Sequence, residues 1–220
     1  MENFGEDMIE KMNKNRKVMY MNFKEKSNNR ENIKLVDYTF KDPEICRDLC
    51  NRLMKHQAEN SVKYKEILEK MNFDNRLALS FEKNEDKYLL VAMDGDVAVG
   101  YVFALIETVT EASKSFMPSW TKVMTKEDRE AEGFYRKDLE TPCVMGSIHN
   151  LYVLPEYRGL NIADQLMVKA LEWIRSYEKV EKISVMVSNG NKVGSFYERY
   201  GFKFDHEIFG GFIIDYLMDK

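Results

Sequence analysis

Between Leu151 and Ile174 the chain reads LYVLPEYRGLNIADQLMVKALEWI. Strand formers (Leu151, Tyr152, Val153) run through a Pro-containing turn into Arg158, Gly159 and Asn161, and then into a helical pattern. Ile162, Leu166, Met167, Ala170, Leu171 and Ile174 recur with 3.6 periodicity, so that face of the helix packs on a sheet and its N-terminus lies beside the end of the strand. Unpaired N–H groups and the positive end of the helix dipole meet there, next to a guanidinium that is always charged. Gly159 permits close backbone approach, and asparagine is among the few non-glycine residues that accept positive φ. Such a junction suits an anion, above all a phosphate or pyrophosphate. By pattern alone, an ordinary helix start with a surface arginine remains an equal alternative.

Other chemistries have less support. The sequence contains no G-x-x-x-x-G-K-[ST] and lacks the three glycines of G-x-G-x-x-G at this junction. His56, His149 and His206 lie far apart in sequence with no H-E-x-x-H, and there is no G-x-S-x-G, so zinc-dependent and serine hydrolysis are disfavoured and no metal is expected. With 33 Lys+Arg against 37 Asp+Glu, the net charge of −4 lacks the basic excess that phosphate-backbone binding needs, so nucleic acid is not the expected partner. Cys46, Cys50 and Cys143 form neither a disulfide framework nor a zinc-type cluster, which fits a reducing, cytoplasmic setting. Cys46 and Cys50, four apart, read as buried small hydrophobes on one helix face. No apolar run approaches a membrane span, and the N-terminus is too charged for a secretory signal.

The elements that must position the junction follow from periodicity. Residues 1–31 read as an N-terminal extension, helical or partly disordered, and 32–220 as a single domain. Residues 32–40 alternate as a strand. Asp42 and Pro43 open a helix, and a second helical stretch covers about 60–72. Two apolar strands flank Asp94-Gly95, a strong hairpin signal. Residues 108–141, charged with scattered aromatics, form an insertion too long for a plain loop. From residue 143 onward the pattern is strand, helix (161–177), strand, helix (191–200), strand, a Gly210-Gly211 turn and a last strand. An early hairpin followed by alternating strands and helices implies an α/β (α+β) fold with a mixed sheet and helices on its faces.

Two segments resemble one family. IHNLYVLPEYRGLNIADQLM is similar to motif A of the GNAT superfamily of acetyl-CoA-dependent N-acetyltransferases, [QR]-x-x-G-x-[GA], with Arg158, Gly159, Leu160, Asn161, Ile162 and Ala163 at its positions and Asn161 standing where the pattern has glycine. VSNGNKVGSFYERYGFKF resembles motif B through Asn191, Gly194, Phe196, Tyr197, Gly201 and Phe202. The resemblance implies a GNAT-like, mostly antiparallel central sheet of six to seven strands with helices on both faces. It also implies a transferase that moves an acetyl group from acetyl-CoA to a primary amine of a small molecule, by direct attack through a tetrahedral intermediate.

On the same resemblance, the backbone of Leu151, Tyr152 and Val153 would bind pantetheine like an added strand. The N–H groups from Gly159 to Ala163, with Arg158, would hold the pyrophosphate. Tyr197 would protonate the leaving thiolate, and Asn191 would touch the cofactor or merely cap the helix. For the base, alternation puts Ser147, His149, Leu151 and Val153 on one face. Ser147 stands where protein-lysine members carry glutamate. His149 falls where an arylalkylamine-type member carries histidine, and its ordinary pKa near 6.5 suits amine deprotonation through water. Glu107 is the reserve base. The aromatics of 108–141 and Trp120 are expected to cover the acceptor cleft. Two alternatives stay open: a non-catalytic acyl-CoA-binding module, and a protein or peptide N-acetyltransferase. An exposed last-strand edge and the Met-rich N-terminus leave room for a homodimer.

Overall fold

The computed structural model describes residues 33–220; the expectation for residues 1–31 lies outside them. The described chain forms one seven-stranded sheet in the order β1-β2-β3-β4-β5-β7-β6. The strands are β1 (Ile33–Asp37), β2 (Lys87–Asp94), β3 (Val97–Val109), β4 (Cys143–Val153), β5 (Lys182–Ser188), β6 (Lys203–Ile208) and β7 (Ile213–Asp219). All neighbours are antiparallel except β4 and β5. The hairpin at Asp94-Gly95 forms as its sequence predicts, with Gly95 at φ +58° and Asp94 opposite Val97.

The principal helices flank this sheet. Asp42 caps a 3-10 turn, Pro43–Cys46, by accepting from the Glu44 N–H at 2.9 Å, and α1 (Arg47–Asn60) follows. Its apolar face, Leu49, Cys50, Leu53, Met54 and Ala58, is buried. Both Cys46 and Cys50 are fully enclosed, and burial pushes their thiols up. After α1 come α2 (Lys65–Leu68), a π-helical turn Asp74–Ala78 and α3 (Leu79–Lys83). The helix at the basic junction, α6, spans Ile162–Ser176 and buries the six residues its periodicity names. It lies against β2, β3 and β4, close enough that Gly146 faces Ile174 with no room for a Cβ.

Residues 110–142 hold α4 (Glu111–Lys114), a 3-10 turn Ser119–Val123 and α5 (Lys126–Glu130). This segment is anchored by aromatics: Trp120 meets Phe134, Phe209 and Phe212 edge-on at 5.5–6.2 Å between centroids. A polar clamp works alongside. The Asn189 side-chain oxygen accepts from the Val62 and Lys63 N–H groups at 2.6 and 2.9 Å, and its amide donates to the carbonyls of Lys63 (3.2 Å) and Phe212 (2.8 Å). One buried amide thus ties the loop after α1 to the end of β5 and the start of β7. The next residue, Gly190, runs at φ +80° so close to the Asn60 carbonyl that any side chain would overlap it.

Several sequence expectations change. The first strand ends at Asp37, and the helical stretch of 60–72 contracts to α2. The turn and helix over 74–83 have no counterpart in the sequence reading, because Leu77 and Phe81 are their only buried residues and the π turn breaks the 3.6 period. The helix of motif B, α7 (Gly194–Glu198), is a single short element with Val193 at its cap position, so Asn191 is not its N-cap. The last strand is not an edge: β7 lies between β5 and β6. The strand-edge ground for a homodimer therefore falls away.

Asn189→Ala removes the clamp and leaves buried backbone groups without partners. Urea unfolding is expected to show a loss of roughly 2–4 kcal/mol, against a change within error for an exposed substitution such as Lys203→Ala.

Candidate active site

The site begins with an interruption of the sheet. Parallel pairing between β4 and β5 runs from Met145 opposite Lys182 to Ile148 opposite Val185, and stops. On its other side β4 stays paired with β3 up to Val153 opposite Gly100. Residues 149–153 therefore offer a backbone edge with no strand partner. A bulge coincides with the parting: Phe103 faces Asn150 and Ala104 faces Ile148, so His149 is the additional residue on β4. This corrects the expectation that Ser147, His149, Leu151 and Val153 share one face, since counting by two does not carry across a bulge.

The gap opens into a cleft of about 360 Å³. Leu151, Tyr152, Val153, Arg158, Ala163, Asn191 and Tyr197 all line it, as do His56 and Gln57 of α1. Arg158 donates from Nε to the Val153 carbonyl at 3.2 Å, which holds the guanidinium at the end of β4. Gly159 takes φ +82°, and Asn161 takes φ +63° as the residue before α6, the left-handed conformation expected of it. Leu160 and Ile162 are buried and serve as the packing side of this turn. Asn191 donates its amide to Ser188 Oγ at 2.6 Å. Tyr197 is buried against Phe196 and Phe202, and burial pushes its phenol up to about 12. Its hydroxyl makes no hydrogen bond among the described residues, so at neutral pH it holds an uncommitted proton.

A second cavity, of about 460 Å³, meets the first at Ile148, His149 and Met186. Glu107, Ser147, Tyr135, Phe134 and Phe116 line it, so aromatics of the 108–141 insertion do wall this space. Burial raises the Glu107 pKa, and the Tyr135 hydroxyl beside it pulls the other way; the Tyr135 phenol rises in turn through burial and the Glu107 charge. His149 is pushed down to about 3, first by burial and then by the neighbouring Arg76. It is therefore neutral at pH 7 and a weak proton acceptor. Among the described residues, every buried side-chain N or O atom without a partner, apart from the Tyr101 hydroxyl, belongs to Ser147, His149 or Asn150. These unpartnered polar atoms are concentrated where the two cavities meet, and water or a ligand there would satisfy them.

Asp205, His206 and Asp215 gather beneath the second cavity, with ligand-type atoms within 4.8 Å of one another. Their atoms are already engaged: His206 pairs with Asp205 Oδ2 at 2.7 Å and the Gly133 carbonyl at 3.0 Å, and Asp215 accepts from Ser184 Oγ at 2.7 Å. Burial raises Asp215. These contacts describe a hydrogen-bond network tying β5, β6 and β7 to the insertion.

Residues 85–204, more than half of the chain, match the family model described as the acetyltransferase (GNAT) domain. The protein belongs to the GNAT acetyltransferase family. Its seven-stranded, mostly antiparallel sheet flanked by helices is the architecture of that family. No curated protein matches the chain. Among solved structures it is similar to the PaiA N-acetyltransferase of Thermoplasma acidophilum, crystallised with coenzyme A, at 15% identity, a TM-score of 0.55, and coverage of 86% of this chain and 99% of that one. It is also similar to PH1933 of Pyrococcus horikoshii OT3, at 17% identity, a TM-score of 0.52, and coverage of 86% and 98%. At these identities the likeness is one of fold. Among the described residues no helix is long and apolar enough to cross a membrane.

The low pKa of His149 has a consequence for stability. Its folded-state value lies below the ordinary 6.5, so the unfolded chain binds the extra proton first as pH falls. The stability this group contributes is whole above about 6.5 and is lost progressively toward 3. Urea unfolding of wild type and His149→Gln across pH 7 to 4 is expected to show a shallower acid loss in the variant, by on the order of 2 kcal/mol.

Proposed function

We propose that the protein transfers the acetyl group of acetyl-CoA to the primary amine of a small molecule. The observation that carries this reading is the unpaired edge of β4 at 149–153, flanked by the basic junction at one end and by the unpartnered polar atoms of residues 147–150 at the other. An extended pantetheine arm suits that edge, as an added strand would. Arg158 and the free N–H groups from Gly159 to Ala163 suit a pyrophosphate. The donor supplies an activated acyl thioester, and the remaining steps fall to the chain's own groups.

An ammonium has no lone pair, so a base must take a proton before attack. Glu107 is the better base of the two candidates: its raised pKa gives it more affinity for a proton than an ordinary carboxylate, whereas His149 at about 3 has little. It acts through water across the second cavity. Neutral His149 borders both cavities and orients the acceptor. The backbone N–H of Val153 or its neighbour faces the carbonyl oxygen as charge develops there. Tyr197, whose phenol burial pushes up to about 12, is protonated at neutral pH and gives its proton to the departing sulfur. Residues 32–220 act as one domain in this reading, and the free, buried cysteines suit a reducing cytoplasm.

Calorimetric titration with acetyl-CoA is expected to give micromolar binding that Arg158→Glu weakens by more than about tenfold. Tight binding with no thiol release over a broad amine panel would instead identify an acyl-CoA-binding module. In steady-state assays Glu107→Gln should lower kcat/KM by roughly 10²–10⁴ and remove the acid limb of the pH profile. A limb that survives in Glu107→Gln and disappears in His149→Gln returns the base role to the histidine.

A further inference from the structure

Arg76 has no part in the chemistry just described, yet it borders the acceptor space. It sits in the π-helical turn, half-buried, and lines both the 460 Å³ cavity and an adjoining one of about 360 Å³ walled by Trp120 and Phe134. Its one side-chain hydrogen bond among the described residues runs from Nη2 to the His149 carbonyl at 3.3 Å. No carboxylate lies within ion-pair distance of it among the described residues, whereas Asp74, two positions earlier, is engaged by Arg47 at 2.8 Å. The groups whose negative charge would favour the Arg76 cation, the Cys50 thiol and the Tyr101 phenol, are both pushed up by burial and so uncharged.

A half-buried guanidinium that makes one side-chain hydrogen bond among the described residues and faces open volume keeps most of its five donors available for an anion. Its bond to the His149 carbonyl puts it beside the meeting point of the donor cleft and the acceptor cavity. Glu107 lines the same cavity and does not pair with Arg76, so the space is bipolar: one wall repels a carboxylate and attracts an ammonium, the other does the reverse. Phe116, Phe134, Met145 and Met186 line the same cavity.

We propose that Arg76 grips the carboxylate of the acceptor, and that the acceptor is an apolar amino acid whose free carboxylate lies close to its amine. This rests on the acetyl-transfer reading and names its substrate class. A peptide N-terminus or a polyamine offers no such carboxylate and leaves the guanidinium uncompensated. An amino acid seats its carboxylate on Arg76, its amine at the His149 junction and its side chain among the aromatics.

The test compares phenylalanine and leucine with phenylalaninamide and leucinamide as acceptors, by release of coenzyme A thiol. The amino acids are expected to exceed their amides in kcat/KM by on the order of ten- to hundredfold. The ratio falls toward one in Arg76→Gln and is partly kept in Arg76→Lys, which retains the charge should the glutamine variant fold poorly. In parallel, thermal unfolding in the presence of coenzyme A reads binding without turnover. Amides transferred as well as amino acids would overturn the carboxylate site while leaving acetyl transfer standing. Amino acids that raise the wild-type Tm but not that of Arg76→Gln, with no thiol released from any amine, keep the anion site and overturn the transferase reading. Loss of acetyl-CoA binding in Arg76→Gln would assign the guanidinium to the donor and overturn the proposal, and an absence of both transfer and Tm shift would overturn both.

Discussion

Everything at the candidate site depends on two parallel strands parting. Had β4 and β5 stayed paired past Ile148 and Val185, the N–H and C=O groups of residues 149–153 would be spent on the ladder, and no slot would exist beside the basic junction. Parting leaves polar backbone groups without partners, a cost that a sheet interior avoids unless something else meets it. The bulge at His149 falls at the same place. His149 borders both cavities and its carbonyl accepts from Arg76, so a single irregularity lies where the two cavities and the cation meet.

The two sides of the proposed site, donor and acceptor, are held differently. The donor side rests on the long register between β3 and β4 and on an apolar helix face, both stabilised by extensive burial. The acceptor side is made of short helical turns, secured by the aromatic cluster around Trp120 and by the Asn189 amide. Burial of Glu107 and Tyr135 inside that wall raises the proton affinity of the carboxylate, so the packing of the insertion also tunes the group proposed as base.

The sequence announced the donor side more fully than the acceptor side for physical reasons. Helix α6 repeats its apolar residues over four turns, and the left-handed Asn161 beside Gly159 leaves a compositional trace, so both could be read directly. The motif B helix was overextended because only Gly194–Glu198 has helical backbone, and the residues before it are bound to the β5 loop instead. Arg76 leaves no trace in the sequence: one arginine in a short, irregular turn has no periodicity, and what distinguishes it is the lack of an ion-pair partner among the described residues, which only three dimensions reveal. The bulge was equally hidden, since an added residue in a strand leaves the local composition unchanged and moves every later side chain to the other face.

The strand order also governs how the molecule is assembled in time. β5 acquires its second neighbour only from β7, and β6, made first, ends up outside it. During folding, β5 therefore keeps a bare hydrogen-bonding edge until β7 docks, even if β4 has already paired with it. Until then the chain presents an apolar strand to any neighbour that can pair with it. The late arrival of β7, carrying Asp215 to Ser184, closes that window and seals the far half of the sheet.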